Sequence, residues 1–284
     1  MKVREALTEG TNILAAKEIE NPALDSQIIL GYVLKKDRLY LLTHDDIMLS
    51  SEQADAFNKL LKLRCRHIPI AYIIGEKEFY GIKLHVKPGV LIPRPETEFA
   101  VEETLNAILD IKKPKVADIC CGSGAISVAI AANNQNVRIY ASDISDISCE
   151  ITRINVNSYN LQDRIFVFKG DLLEPFKENN IRDFDVIVSN PPYIPKSELA
   201  NLPPDVKNEP ESALNGGLDG LMFYRKIAFE APRFLKPQGK IIFEIGWNQA
   251  EAVRKILLAN GFTAISVVKD YAGFDRVISG SLNY

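Results

Sequence analysis

After Pro95 the chain becomes a series of short apolar runs, at residues 116–121, 137–142, 165–168, 184–189 and 240–245, separated by stretches of helical periodicity. Continuous apolar runs of this length are the mark of parallel strands covered on both faces, since neither side of such a sheet meets water. The intervening stretches are long enough for right-handed crossovers. Residues 95–284 are therefore expected to form an open, doubly wound α/β sheet.

The first seventy or so residues follow another rule, with apolar positions recurring at three- and four-residue spacing. Asn21 before Pro22 fits an N-cap with proline at the first helical turn, and Ser50 with Gln53 fits a capping box. The helix opened by that box is expected to run to about Arg66 and to be ended by Ile68-Pro69. Residues 1–71 thus read as a small helical bundle, either one that stabilises a dimer or one that docks a substrate. Between residues 72 and 94 the period changes again. Phe79-Tyr80-Gly81-Ile82 and Leu84-His85-Val86 flank a turn, so a β-hairpin linker is expected there.

Composition narrows the function classes. Lys plus Arg number 34 against 37 Asp plus Glu, which is not the broad basic field of a protein gripping duplex phosphates. No stretch approaches the roughly 18 unbroken apolar residues of a membrane span, and residues 1–10 lack a signal-peptide core, so the cytoplasm is the expected location. Cys65, Cys120, Cys121 and Cys149 show no CxxC spacing and read as reduced packing residues. His44, His67 and His85 lie far apart and outside any HExxH pattern, so no metal site is expected.

In an open parallel sheet, ligands bind beyond the carboxyl ends of the strands. The first run leads into Cys120-Cys121-Gly122-Ser123-Gly124 and then a helical stretch, a glycine-bearing turn whose backbone a ligand can approach closely. The second ends in Asp143, at an offset where a carboxylate commonly accepts ribose hydroxyls, although it could equally cap the next helix. The third ends in Gly170-Asp171-Leu172, an acid and an apolar residue of the kind an adenine needs, or an ordinary turn. The fourth ends in Asn190-Pro191-Pro192-Tyr193. Two consecutive prolines remove two N–H groups and present nearby carbonyls from a fixed loop. Beyond it, residues 194–221 are rich in Pro, Asn and Gly and too long for an ordinary connection. They read as a cover facing the substrate or as a partly disordered link.

With these motifs the sequence resembles the Rossmann-like class I methyltransferases that use S-adenosylmethionine, and more closely the release factor glutamine methyltransferases. The resemblance is carried by Asn190–Tyr193 and by Ile92-Pro93-Arg94-Pro95-Glu96-Thr97-Glu98. It extends through Asp118–Ile126, Ala141–Ser145, Glu209-Pro210, Gly216–Leu221, Glu244-Ile245-Gly246 and Asp270–Val277. The family usually has glycine at the position of Cys120 and a small hydroxyl residue at that of Cys121.

What the resemblance implies is a cofactor lying over Cys120, Cys121, Gly122, Ser123 and Gly124, with its ribose on Asp143, its adenine near Asp171 and Leu172, and its methyl facing Asn190. Asn190, Pro191, Pro192 and Tyr193 would form the catalytic loop. Asn190 and the Pro191 carbonyl would hold the amide nitrogen, with the Tyr193 ring packed on the flat amide. The implied substrate is the glutamine of the Gly-Gly-Gln loop of peptide chain release factors, in translation termination, with oligomeric state left open. A DNA adenine-N6 methyltransferase shares the motif but would want a basic groove and a target-reading domain. A dinucleotide-dependent dehydrogenase would want a third glycine where Ser127 stands. A catalytically idle binding protein would simply keep the fold.

Overall fold

The computed structural model describes residues 1–283. Its contacts divide into two compact units, one of Met1–Glu76 with Pro203–Asn208 and the other of Lys77–Leu202 with Glu209 onward.

The first unit is helical: α1 (Val3–Ala15), α2 (Pro22–Leu34), α3 (Arg38–Thr43), α4 (Ser51–Arg64) and α5 (Ile70–Ile74). Its core gathers Leu14, Ile29, Leu30, Leu41, Phe57 and Leu61, each fully buried or nearly so. The box at Ser50 forms as expected: Gln53 N–H donates to the Ser50 hydroxyl, and the Gln53 side chain accepts the Ser50 N–H. Asn21 occupies the N-cap with Pro22 behind it, but its side chain makes no capping bond. Helix α4 stops at Arg64, two residues short of expectation, and the Arg64 side chain turns inward. It donates to Asp25 at 2.6 Å and to Asp205 at 2.7 Å, an ion network with Arg64 and Asp25 buried.

Next along the chain comes a hairpin, β1 (Glu76–Phe79) and β2 (Ile82–His85), whose turn residues Tyr80 and Gly81 have φ of 50° and 73°. Positive φ at both central residues suits the twist of a two-residue hairpin. The strand pair is shorter than the segment 72–94 suggests, since α5 runs to Ile74.

There follow α6 (Glu98–Ala107), β3 (Lys115–Ile119), α7 (Ala125–Asn133), β4 (Arg138–Asp143), α8 (Asp146–Ser158), β5 (Ile165–Lys169), α9 (Glu174–Glu178), β6 (Phe184–Ser189), α10 (Met222–Glu230), β7 (Leu235–Glu244), α11 (Ala250–Ala259), β8 (Phe262–Lys269) and β9 (Asp275–Leu282). The strands make a seven-stranded sheet in the order β5-β4-β3-β6-β7-β9-β8. The five apolar runs pair in parallel, and β9 is antiparallel to both β7 and β8. Successive residues of β3 serve opposite faces. Val116 packs with Val128 and Val156 of α7 and α8, while Ala117 packs with Tyr224, Ile227 and Val253 of α10 and α11. Each such large apolar side chain contributes about 1.5–3 kcal/mol through burial.

The chain proceeds outward from β3 to β5 and then returns to lay β6 against the other side of β3. This reversal opens a crevice at the carboxyl ends of β3 and β6, where doubly wound sheets take their ligands. Among the described residues, no helix is long and apolar enough to cross a membrane.

Candidate active site

Hydrogen bonds between neighbouring strand ends stiffen the crevice. Ser189 Oγ donates to the Ile119 carbonyl at 2.6 Å, Cys121 N–H to the Ser142 carbonyl at 3.0 Å, and Ser142 Oγ to the Leu172 carbonyl at 2.7 Å. From below, α8 holds the glycine turn: Thr152 donates to the Gly122 carbonyl and Asn155 to the Ser123 carbonyl, both at 2.9 Å. The turn ends at Gly124, the N-cap of α7. Ser127 on that helix, where a dinucleotide fingerprint would have glycine, donates instead to buried Asp118 at 2.6 Å.

Over these strand ends lies a cleft whose empty space, open mouth included, is about 910 Å³. Cys120, Cys121, Gly122, Ser123, Asp143, Asp171, Leu172, Asn190 and Pro192 line it. Gly124, Pro191 and Tyr193 are not among its walls.

Of the two roles open to Asp143 from sequence, the structure shows the one at the start of the next helix. Oδ1 accepts the Ser145 N–H at 2.9 Å, ordering the start of α8, and Oδ2 accepts the Gly122 N–H at 2.9 Å. Burial raises the pKa of this carboxyl, and the backbone N–H groups oppose the rise. Gly122 has φ of 57°, and a Cβ placed on it would meet nothing within 4 Å, so its backbone lies open to a ligand. Cys120, the residue that replaces a family glycine, sits at φ of 61°. Burial pushes its thiol pKa upward, so it is a poor nucleophile. Asp171 stands at the mouth, 3.8 Å from Lys226. Leu172 is buried and supplies apolar wall.

On the other side of the crevice, Asn190 Nδ2 donates to Thr97 Oγ1 at 3.2 Å. The Tyr193 ring packs into the core beside α10 and β7 instead of standing in the cleft wall. Its hydroxyl points to Glu244 Oε1 at 3.4 Å. Burial pushes the Tyr193 phenol upward, so it remains a donor. Gln249 Nε2 fixes the Tyr193 carbonyl at 2.9 Å. Gly220, at φ of 74°, presses so closely on this loop that a Cβ there would lie 2.4 Å from the Tyr193 carbonyl oxygen.

The segment 194–221 is ordered by short 3₁₀ turns and by pairing of Ile194 with Asn215. Buried Glu209 anchors part of it, accepting the Ile92 N–H at 2.9 Å and pairing with Arg94. Pro210, Ser212 and Ala213, just beyond that anchor, form one wall of the cleft. Sequence reasoning did not assign Arg94, Thr97, Glu209 or Glu244 to the site. Their signal lay within the Ile92–Glu98, Glu209-Pro210 and Glu244–Gly246 motifs, which carry the family resemblance without revealing what each side chain touches.

Comparison with known proteins agrees with this architecture. Residues 5–75 match the PrmC N-terminal domain and residues 95–202 the methyltransferase small domain. Among solved structures, the hMettl16 catalytic domain superposes with a TM-score of 0.59 at 17% identity, covering 72% of this chain and 77% of that one. A methyltransferase from Pyrococcus furiosus gives 0.53 at 18%, covering 72% and 90%. At those identities the likeness concerns the fold. The sequence relatives lie much nearer. The release factor glutamine methyltransferase of Clostridium botulinum is 44% identical over 98% of both chains, and that of Clostridium acetobutylicum 43% identical over 98% of both. With kinship of that depth along nearly its whole length, the chain belongs to the release factor glutamine methyltransferase family and is a methyltransferase.

Proposed function

We propose that this enzyme transfers a methyl group from S-adenosylmethionine to the side-chain amide nitrogen, N5, of the glutamine in the Gly-Gly-Gln loop of peptide chain release factors. Its setting would be translation termination in the cytoplasm. The observation that carries this reading is Asn190 at the crevice between β3 and β6, with its amide NH2 engaged by Thr97 and its oxygen left to accept from a substrate.

The residues of the cleft suit the donor. Cys120–Gly124 offer an open backbone, Asp143 brings a carboxylate to the cleft for a ribose diol, and Leu172 with Asp171 provides an apolar face and a polar edge for adenine. Bound there, S-adenosylmethionine supplies an electrophilic methyl on a sulfonium. The nucleophile is poor, because the lone pair of an amide nitrogen is delocalised into its carbonyl. Positioning must therefore do most of the work. Asn190 Oδ1 and the Pro191 carbonyl accept from the two amide hydrogens, aim the nitrogen and favour the positive charge it develops, while Pro192 keeps the loop rigid. Tyr193 supports this loop from behind through Glu244, and the surplus proton leaves to solvent after transfer.

The family membership and the charge balance both favour a protein substrate. The direct test is incubation with labelled donor and three separate acceptors: a release factor, duplex DNA and a glutamine-containing peptide. Label should enter the release factor and map to its loop glutamine by peptide mass spectrometry. Labelled adenine in the duplex, or undiminished labelling after the loop glutamine is replaced, would overturn the assignment.

A further inference from the structure

An asparagine amide has a donor end and an acceptor end of nearly the same shape, so a site that needs its oxygen must prevent it from turning over. We propose that Thr97 and Glu244 are positioning residues that fix the Asn190 amide with its oxygen toward the cleft. The inference rests on the reading of Asn190 as an acceptor for the substrate amide.

Thr97 closes the 3₁₀ turn Pro95–Thr97 and is 4% exposed. Its N–H donates to the Arg94 carbonyl at 3.1 Å, and the Arg94 side chain is tied to Glu209, so the hydroxyl is held on a stiff support. A threonine hydroxyl has one hydrogen to give and lone pairs to receive. The lone pairs face Asn190, whose Nδ2 donates to Oγ1 at 3.2 Å. The hydrogen needs an acceptor, and Thr97 acts on the Glu244 carboxyl to lower its pKa, the sign of a donor nearby.

Glu244 is 1% exposed, at the end of β7. Its Oε1 receives the Tyr193 hydroxyl at 3.4 Å, and its buried Oε2 has no hydrogen-bond partner of ordinary geometry among the described residues. Arg276, the cation acting on it, is committed to Asp270 at 3.0 Å. A buried carboxylate so weakly compensated is costly for stability. An ionised carboxylate can only accept. It therefore draws the Thr97 hydrogen to itself, turns the threonine lone pairs toward Asn190, and leaves Asn190 one way to satisfy them: NH2 inward, oxygen outward. Without this relay both orientations of Asn190 are open, and one of them sets its NH2 against the NH2 of the substrate.

Single-turnover transfer to release factor, with donor affinity measured alongside, tests the relay. Thr97→Val keeps the shape and removes the hydroxyl. It should lower the rate at saturating substrates about tenfold or more while donor affinity stays within about twofold, and Thr97→Ser should restore the rate to within about threefold of wild type. Glu244→Gln fills the same space with a group that both donates and accepts. It should slow transfer several-fold and abolish the acid limb of the pH–rate profile. Thr97→Val with wild-type unfolding temperature and a rate within about twofold of wild type would overturn the relay. So would Glu244→Gln with both the wild-type rate and the wild-type acid limb, a result that stands even should Thr97→Val not fold. A wild-type enzyme that leaves the release factor unmethylated would instead overturn the substrate reading, and the relay with it.

Discussion

The two halves of the crevice hold their polar groups by different means. At the ends of β3 and β4, Asp143 is held by backbone N–H groups of Gly122 and Ser145, residues in the same turn or the next one in the sheet. At the ends of β6 and β7, Asn190 depends on Thr97, 93 residues away, and Tyr193 on Glu244, 51 residues away. Backbone donors come with the fold and tolerate changes of neighbouring side chains. Side-chain relays specify a direction, but each link needs its own residue. The first arrangement suits binding, the second suits orienting a reactant, and variants should separate the two.

The largest separation is expected from Asn190→Ala. With the proposed acceptor gone, turnover should fall about a hundredfold or more. Donor affinity, carried by the other half, should change little. Single-turnover rates alongside calorimetry give both quantities, and a rate near wild type at saturation would remove Asn190 from the transfer step.

Titration divides the halves next. Burial pushes Glu244 up to about 7 from 4.5 in one half, and Asp118 up to about 7 from 3.8 in the other. Both folded values are raised, so each group favours folding while protonated, and that contribution is lost as pH climbs through 7, from 3.8 for Asp118 and from 4.5 for Glu244. Each loss is on the order of 3 kcal/mol. Denaturant melts should show stability falling across this window. Below about pH 4 it should fall again, as Asp270, held below the usual range despite burial by hydrogen bonds and Arg276, gives up its charge.

Activity should move the opposite way, rising as Glu244 ionises. The groups facing Glu244 are Thr97 and Glu96 on the turn before α6, Arg276 on β9 and Tyr193 after β6. Its charge also reaches Tyr224 on α10. Asp118→Asn should flatten the stability curve and leave the acid limb of activity intact, whereas Glu244→Gln should change both. Identical pH–rate profiles for the two variants would erase the distinction between the halves.

The same contrast explains what the sequence revealed. The five parallel runs were legible because burial on both faces writes itself as unbroken apolar sequence, and the Gly122 turn because its residues are contiguous. Strands β8 and β9 escaped this reading. Edge strand β8 mostly mixes exposed and half-buried positions, and β9 is interrupted by Ser279-Gly280-Ser281, so neither carries a long apolar run. Thr97 and Glu244 escaped as site residues for a related reason. Their meaning lies in a contact across the sheet, and no local pattern records it. The Tyr193 ring, expected against the substrate, also packs against the core, and its hydroxyl points to buried Glu244.

In the donor half, Asp143→Ala should weaken S-adenosylmethionine binding by about 1–3 kcal/mol, the usual cost of removing a charge-assisted hydrogen bond. The rate at saturating donor should fall much less, the reverse of the Asn190→Ala result. Unchanged affinity in a folded variant, measured by calorimetry, would take Asp143 out of the donor site and leave the backbone turn as its only support.

The smallest effect should come from Cys120→Gly, which asks whether a backbone-built half tolerates loss of a side chain. Cys120 adopts φ of 61°, a conformation that costs a residue with a Cβ about 1–2 kcal/mol. Glycine removes that cost, and it also makes the unfolded chain freer, which takes back about 0.4–1 kcal/mol. Loss of the half-buried thiol, which touches the cleft and the strand ends, removes roughly another 1 kcal/mol of apolar burial. The terms nearly cancel, so unfolding free energy should stay within about 1 kcal/mol of wild type, with donor affinity unchanged. Denaturant titration and calorimetry on the same preparation decide it. A loss above about 2 kcal/mol would mean that the thiol's packing outweighs the backbone at this turn, and the donor half would then depend on side chains as the transfer half does.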